Sequence, residues 1–168
     1  MERIVILGSA GTGKTTLAYK LGEITDARVI CLDAIWNEDV PAFRALMEEA
    51  HAGERWISDG NFAIATFDIR LPRATLIVWL ERSKLSSSWR VVRRVFKRGE
   101  PHRFRNLRKV LAFIWRFDRV NRPRIEEHRM AHGPDVPVLR LRSRRDIDAF
   151  LSKFRNPKSN APPTSNRG

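Results

Sequence analysis

Cysteine occurs once in the 168 residues, as Cys31, so no disulfide can form within the chain. Its place in the apolar run RVICLD reads as a buried structural thiol rather than a reactive one. A reducing cytoplasm is the expected compartment. No apolar run approaches the roughly 18 to 20 residues that a membrane span needs, and no membrane partner is expected. The opening MERIVILG leads into a glycine-rich stretch rather than a small-residue cleavage site, which argues against a secretory signal. The four histidines show no metal-ligand spacing with cysteine or acid. No internal repeat is visible, and the length fits one domain with a sizeable core. Acids are the scarcest class of charge, 19 against 32 Lys and Arg, for a formal net charge of +13. The shortage is local. From Arg82 to Arg129 sixteen basic residues face four acidic ones, which leaves twelve of the thirteen surplus charges in that segment. Such a concentration suits anions, either the phosphates of a nucleotide or those of a nucleic acid.

Five short apolar runs are present: Ile4–Leu7, Val29–Leu32, Trp56–Ser58, Leu76–Leu80 and Val136–Leu141. Most lack polar alternation, as in strands covered on both faces. Between them lie segments of helical spacing. Leu17, Leu21 and Ile24 share one face, as do Phe43, Leu46, Met47 and Ala50 after Pro41. The alternation predicts a parallel sheet with helices on both sides. The basic segment reads as one helix from about Lys84 to Lys97 and a second from near Phe104. Gly99 and Pro101 separate them. In the second, Leu107, Val110, Leu111 and Ile114 form an apolar stripe. Arg105, Lys109, Ala112, Arg116 and Arg119 form another line, which collects cations. Pro123 predicts a kink or restart. A domain over 1–155 is expected, with a lid near 97–105 and a disordered tail over 156–168.

The stretch GSAGTGKT, beginning at Gly8, matches the phosphate-loop pattern G-x-x-x-x-G-K-[ST]. It has a strand-like run before it and a helical pattern after it. At average glycine usage a chance match in a chain this long is below about one in a hundred. Gly8, Gly11 and Gly13 let the backbone turn tightly against phosphate oxygens. The amides of Ser9, Ala10, Thr12 and Thr16 belong to the same anion-sized hollow at a helix start. Lys14 is the point charge for the β and γ phosphates of ATP, and Thr15 supplies a hydroxyl to Mg²⁺.

Phosphoryl transfer also needs a metal anchor, a positioned acceptor and positive charge on the moving group. Ligands of parallel sheets bind beyond the strand carboxyl ends. There Asp33 closes the second run and is expected to hold an acceptor hydroxyl. Asp59 closes the third and is expected to order the magnesium shell. Glu81 ends the fourth. Arg90, Arg94 and Arg98 share a helix face where a lid would lie, with Arg93 about 100° away. Their forks suit phosphate oxygens, and Arg94 and Arg98 are expected to close on the transferring group. Trp36 is a candidate for the acceptor pocket. The other tryptophans read mostly as core, and His102 lies in the lid-like loop.

The ordered set GSAGTGKTTLAYKLGE, VICLDAIWN, WISDGNF, RLPRATLIVWLE, WRVVRR and LRSRRDIDAFL resembles the adenylate-kinase-related P-loop proteins labelled topology modulation proteins, over roughly residues 1 to 152. The resemblance implies a nucleoside-kinase type of P-loop fold. That fold is a three-layer α/β/α sandwich with a five-stranded parallel sheet, ATP on the loop and a short arginine lid. DGN at Asp59–Asn61 falls where adenylate kinases carry Asp-Gly-Phe-Pro-Arg, and Leu141–Ser143 falls near the adenine loop. No arginine follows DGN at the adenylate-kinase spacing, and Arg70 and Arg73 are the substitutes on offer. The activity implied is an ATP- and Mg²⁺-dependent kinase acting on a small-molecule acceptor, in a monomer or weak homodimer. The alternative is a nucleotide-regulated nucleic-acid-binding protein using the 82–129 segment, or a polynucleotide 5′-hydroxyl kinase linked to DNA topology.

Overall fold

The apolar runs become strands because helices cover both of their faces. The computed structural model describes residues 2–35, 39–60, 64–98 and 101–155, without the side chains of Asp33, Ile64, Arg94, Lys97, Arg98 and residues 101–106. Strand β1 (Arg3–Gly8) leads through the glycine loop into α1 (Lys14–Thr25). Then come β2 (Arg28–Cys31), the one-turn α2 (Leu32–Ile35) and α3 (Val40–Ala50). Strand β3 (Trp56–Asp59) is followed by α4 (Phe67–Arg70) and β4 (Leu76–Leu80). Two long helices, α5 (Lys84–Arg98) and α6 (Pro101–His132), precede β5 (Val138–Leu141) and α7 (Arg144–Arg155).

The five strands form one parallel sheet in the order β2-β3-β1-β4-β5. β1 is central, pairing Ile6 with Asp59 on one side and Gly8 with Leu80 on the other. Its alternate residues serve two cores. Val5 and Leu7 pack with Phe43 and Met47 of α3, Phe67 of α4, and Phe117 and Ile125 of α6. Ile4 and Ile6 pack with Leu17 and Leu21 of α1, and with Phe150 and Leu151 of α7. The result is the three-layer α/β/α arrangement, and it removes both faces of β1 from water. The carboxyl ends of β1, β3 and β4 meet at one rim, where the chain switches from one side of β1 to the other.

Local chemistry begins two of the helices. The Asp39 carboxylate accepts the Ala42 amide at 3.1 Å, with proline in the first turn of α3. At α7 the Ser143 hydroxyl accepts the Asp146 amide at 3.0 Å, while Asp146 accepts the Ser143 amide at 2.8 Å. That reciprocal pair is a capping box.

Several sequence expectations need correction. Helix α6 starts at Pro101 rather than near Phe104, and it continues past Pro123 to His132. Proline removes one backbone donor there. Pro123 lies on the solvent side, while Ile125 and Arg129 anchor the following turns in the interior. Leu46 is 46% exposed, so the buried face of α3 is Phe43, Met47 and Ala50. Trp56 and Trp79 are core, but Trp89 and Trp115 stand out on α5 and α6 at 67% and 52% exposure. Cys31 is half-buried. Lys109, Arg116 and Arg119 of the cationic line are exposed. Among the described residues no helix is long and apolar enough to cross a membrane. The expected tail over 156–168 lies outside the described residues, as do Trp36 and residues 99–100 of the expected lid, whose remaining backbone belongs to the ends of α5 and α6.

Candidate active site

The glycine loop is shaped by what presses on it. Gly8 has φ +143°, and a Cβ there would lie 2.5 Å from the Leu80 carbonyl oxygen of β4. Gly11 has φ +75°, and its Cβ would lie 2.5 Å from the Ser87 carbonyl oxygen of α5. Any side chain would push β4 or α5 off the loop. Thr12 donates its hydroxyl to the Ser9 carbonyl at 2.8 Å and fixes the bend from inside. Helix α1 starts at Lys14 behind Gly13, which offers no side-chain cap, and a helix start of this kind suits an anion. The Ser9 hydroxyl is buried and meets no hydrogen-bond partner among the described residues. Lys14 Nζ donates to the Ser9 carbonyl at 3.0 Å.

Thr15 and Asp59 come together although 44 residues separate them. The Thr15 hydroxyl donates to Asp59 Oδ2 at 2.6 Å. Strand pleat explains the meeting. Along β3, Ile57 and Asp59 share the α1 face, whereas Trp56 and Ser58 share the other. This donor set fits magnesium, a hard ion that takes oxygen ligands and keeps several waters. It comprises one neutral and one anionic oxygen at the mouth of a phosphate loop.

On the opposite face of β3 lies a buried polar chain that sequence reasoning missed. His51 Nδ1 faces the Met47 carbonyl at 2.8 Å, so it carries the proton, and Nε2 accepts from the Ser58 hydroxyl at 3.0 Å. Burial pushes the His51 imidazole down to about 4, beyond what the Met47 hydrogen bond restores. Arg70 is fully buried. Its guanidinium donates to Ser58 Oγ at 3.2 Å and to the Gly60 carbonyl at 3.0 Å, and it lies 4.8 Å from the Phe67 ring centre. Burial pushes Arg70 down to about 9, and the Asp59 charge opposes that shift, so it stays cationic at neutral pH. Arg73 donates to the His51 carbonyl at 3.2 Å. Of the two substitutes for the missing adenylate-kinase arginine, Arg70 is turned into the body of the protein, whereas Arg73 is exposed with its guanidinium on the His51 carbonyl.

Helix α5 brings a different arginine to the loop. Arg90 donates to the Thr12 carbonyl at 3.3 Å, and its guanidinium also lies beside Gly13. The only sequence signal for it was the face it shares with Arg94 and Arg98. Those two lie on the same helix with side chains outside the described set. Asp33 sits in α2, directly after β2 rather than on it, and its side chain is likewise outside that set. Glu81 is a fastening point. It accepts from Arg122 at 2.7 Å, Arg140 at 2.6 Å and Arg142 at 3.1 Å. Burial works to raise its pKa, but these three partners outweigh it and hold the carboxyl below 4.5.

No protein-family model and no curated protein matches the chain. Solved structures do match. A shikimate kinase from Acinetobacter baumannii in complex with shikimate is 17% identical with a TM-score of 0.55, over 95% of both chains. A sugar kinase from Janibacter sp. is 18% identical with a TM-score of 0.56, over 90% of this chain and 93% of that one. A deoxyadenosine kinase from M. mycoides is 13% identical with a TM-score of 0.52, over 95% and 98%. The five-stranded parallel sheet and its helices are thus the P-loop nucleoside and shikimate kinase fold.

Proposed function

We propose that the chain is an ATP- and Mg²⁺-dependent phosphotransferase acting on a small hydroxyl-bearing molecule. The observation that carries this reading is the 2.6 Å contact of Thr15 with Asp59 beside the glycine loop. The kinase-fold neighbours support the same class of chemistry. The loop amides bind the β-phosphate, and Lys14 exchanges the Ser9 carbonyl for phosphate oxygens. Thr15 and Asp59 hold the metal, which when bound neutralises phosphate charge as the transition state spreads it. Arg90 adds a planar cation over the loop. Arg94 and Arg98, further along α5, are assigned to the transferring group, and Asp33 to the acceptor hydroxyl. Closure of the 97–105 segment excludes water from the reaction. The adenylate-kinase-related lineage and a cytoplasmic setting belong to this same proposal.

Incubation with γ-labelled ATP and a panel of nucleosides, nucleotides, sugars, hydroxy acids and oligonucleotides tests it. One labelled small-molecule product, lost in Lys14→Ala, is the expected result. Label released only as inorganic phosphate across the whole panel counts against a kinase.

A second reading draws on the exposed Lys109, Arg116 and Arg119 and on the projecting Trp89 and Trp115. Cations with stacking surfaces suit a nucleic-acid strand. Binding to oligonucleotides that weakens steeply with salt supports it. No affinity near about 0.1 M salt removes it.

A further inference from the structure

Among the described residues Arg70 is the one fully buried arginine, and burying a guanidinium costs several kcal/mol unless its donors are met. Its Nη1 and Nη2 donate to Ser58 and Gly60, the residues on either side of Asp59. The contact reaches β3 from the face opposite to Thr15, so Asp59 is gripped from behind while its carboxylate meets the loop in front. Ser58 is in turn held by His51, and His51 by Met47, which ties the grip to α3. The planar fork meets the two acceptors with separate nitrogens, a geometry that a single ammonium does not reproduce.

We propose that Arg70 is a positioning residue. By bridging Ser58 and Gly60 it fixes the carboxyl end of β3 and aims Asp59 at the divalent cation shared with Thr15. This rests on the metal–nucleotide reading of the site above. Partners behind metal ligands typically change metal affinity by about 10- to 100-fold when removed.

The probe is Mn²⁺ binding to the folded, ADP-loaded protein, followed by electron paramagnetic resonance. ADP binding in EDTA is measured by calorimetry alongside. Arg70→Met is expected to raise the Mn²⁺ dissociation constant about tenfold and to leave metal-free ADP affinity unchanged. Arg70→Lys should fall between it and the parent. The double variant with Asp59→Asn should bind Mn²⁺ no worse than Asp59→Asn alone, because Arg70 acts through Asp59. Parental Mn²⁺ binding in folded Arg70→Met overturns the inference, as do losses that multiply in the double variant or an equal loss of metal-free ADP binding. If Arg70→Met does not fold, Arg70→Lys decides, and parental Mn²⁺ affinity there overturns the inference. Should the parent fail to bind Mn²⁺ with ADP, the site reading falls with the proposal. Should Asp59→Asn weaken the metal while folded Arg70 variants do not, only the role of Arg70 falls.

Discussion

Lys14 already has a partner in the Ser9 carbonyl at 3.0 Å, so a phosphate must displace one hydrogen bond to gain a stronger, charge-assisted one. Replacing Lys14 by alanine removes the only ammonium of the loop and touches neither core. ATP turnover in a coupled ADP-release assay should fall by at least about 100-fold, with the thermal midpoint unchanged. The loop was legible because glycine spacing and a lysine are local signals. Asp59 was legible because it ends an apolar run. Arg90 was not, because its Thr12 partner lies 78 residues away, and Arg70 and His51 were not, because nothing local marks a polar side chain that turns inward. His51 carries its own prediction. Its folded value is about 4 against an ordinary 6.5, so unfolding takes up a proton between those pH values and stability falls as pH drops through that window. Between pH 7 and pH 5 the parent should lose about 2 kcal/mol. That range lies above the carboxylates, so urea unfolding of His51→Gln should lose much less. An equal pH slope in that variant would assign the effect elsewhere.

At the scale of elements, apolar runs marked the strands to within two residues; β1, β3 and β4 are buried on both faces and need no alternation, while the edge strands β2 and β5 are only partly covered. Helix limits were less legible. The start at Pro101 and the passage through Pro123 depend on packing of α6 against the sheet, which no local rule records. Glu81 is the fastening between these elements, joining the end of β4 to Arg122 of α6, to Arg140 of β5 and to Arg142 just beyond it. Arg122 and Arg140 also lie 5.7 and 5.6 Å from the Trp79 ring centre, so the carboxylate aligns two cations on one indole. Glu81→Gln keeps the shape and removes the charge. It should cost about 2 kcal/mol in urea unfolding, and a loss within error of zero would show that the cluster is merely surface charge. Ser143→Ala, which opens the capping box of α7, should cost about 1 kcal/mol.

At the scale of the molecule, strand–helix alternation specified the three layers, but strand order came only with the structure. The order β2-β3-β1-β4-β5 sets β1 between β3 and β4, and that brings Thr15, Asp59 and α5 around one loop. The basic surplus of Arg82–Arg129 falls largely on α5 and α6, and Arg90 of α5 brings one of its cations to the loop. The whole account depends on that loop holding a nucleoside triphosphate. Titration of the folded parent with ATP in excess Mg²⁺, followed by calorimetry, tests it most directly. One ATP per chain is predicted, with binding weakened in Thr15→Ala and abolished in Lys14→Ala. A flat titration with both ATP and GTP would contradict it.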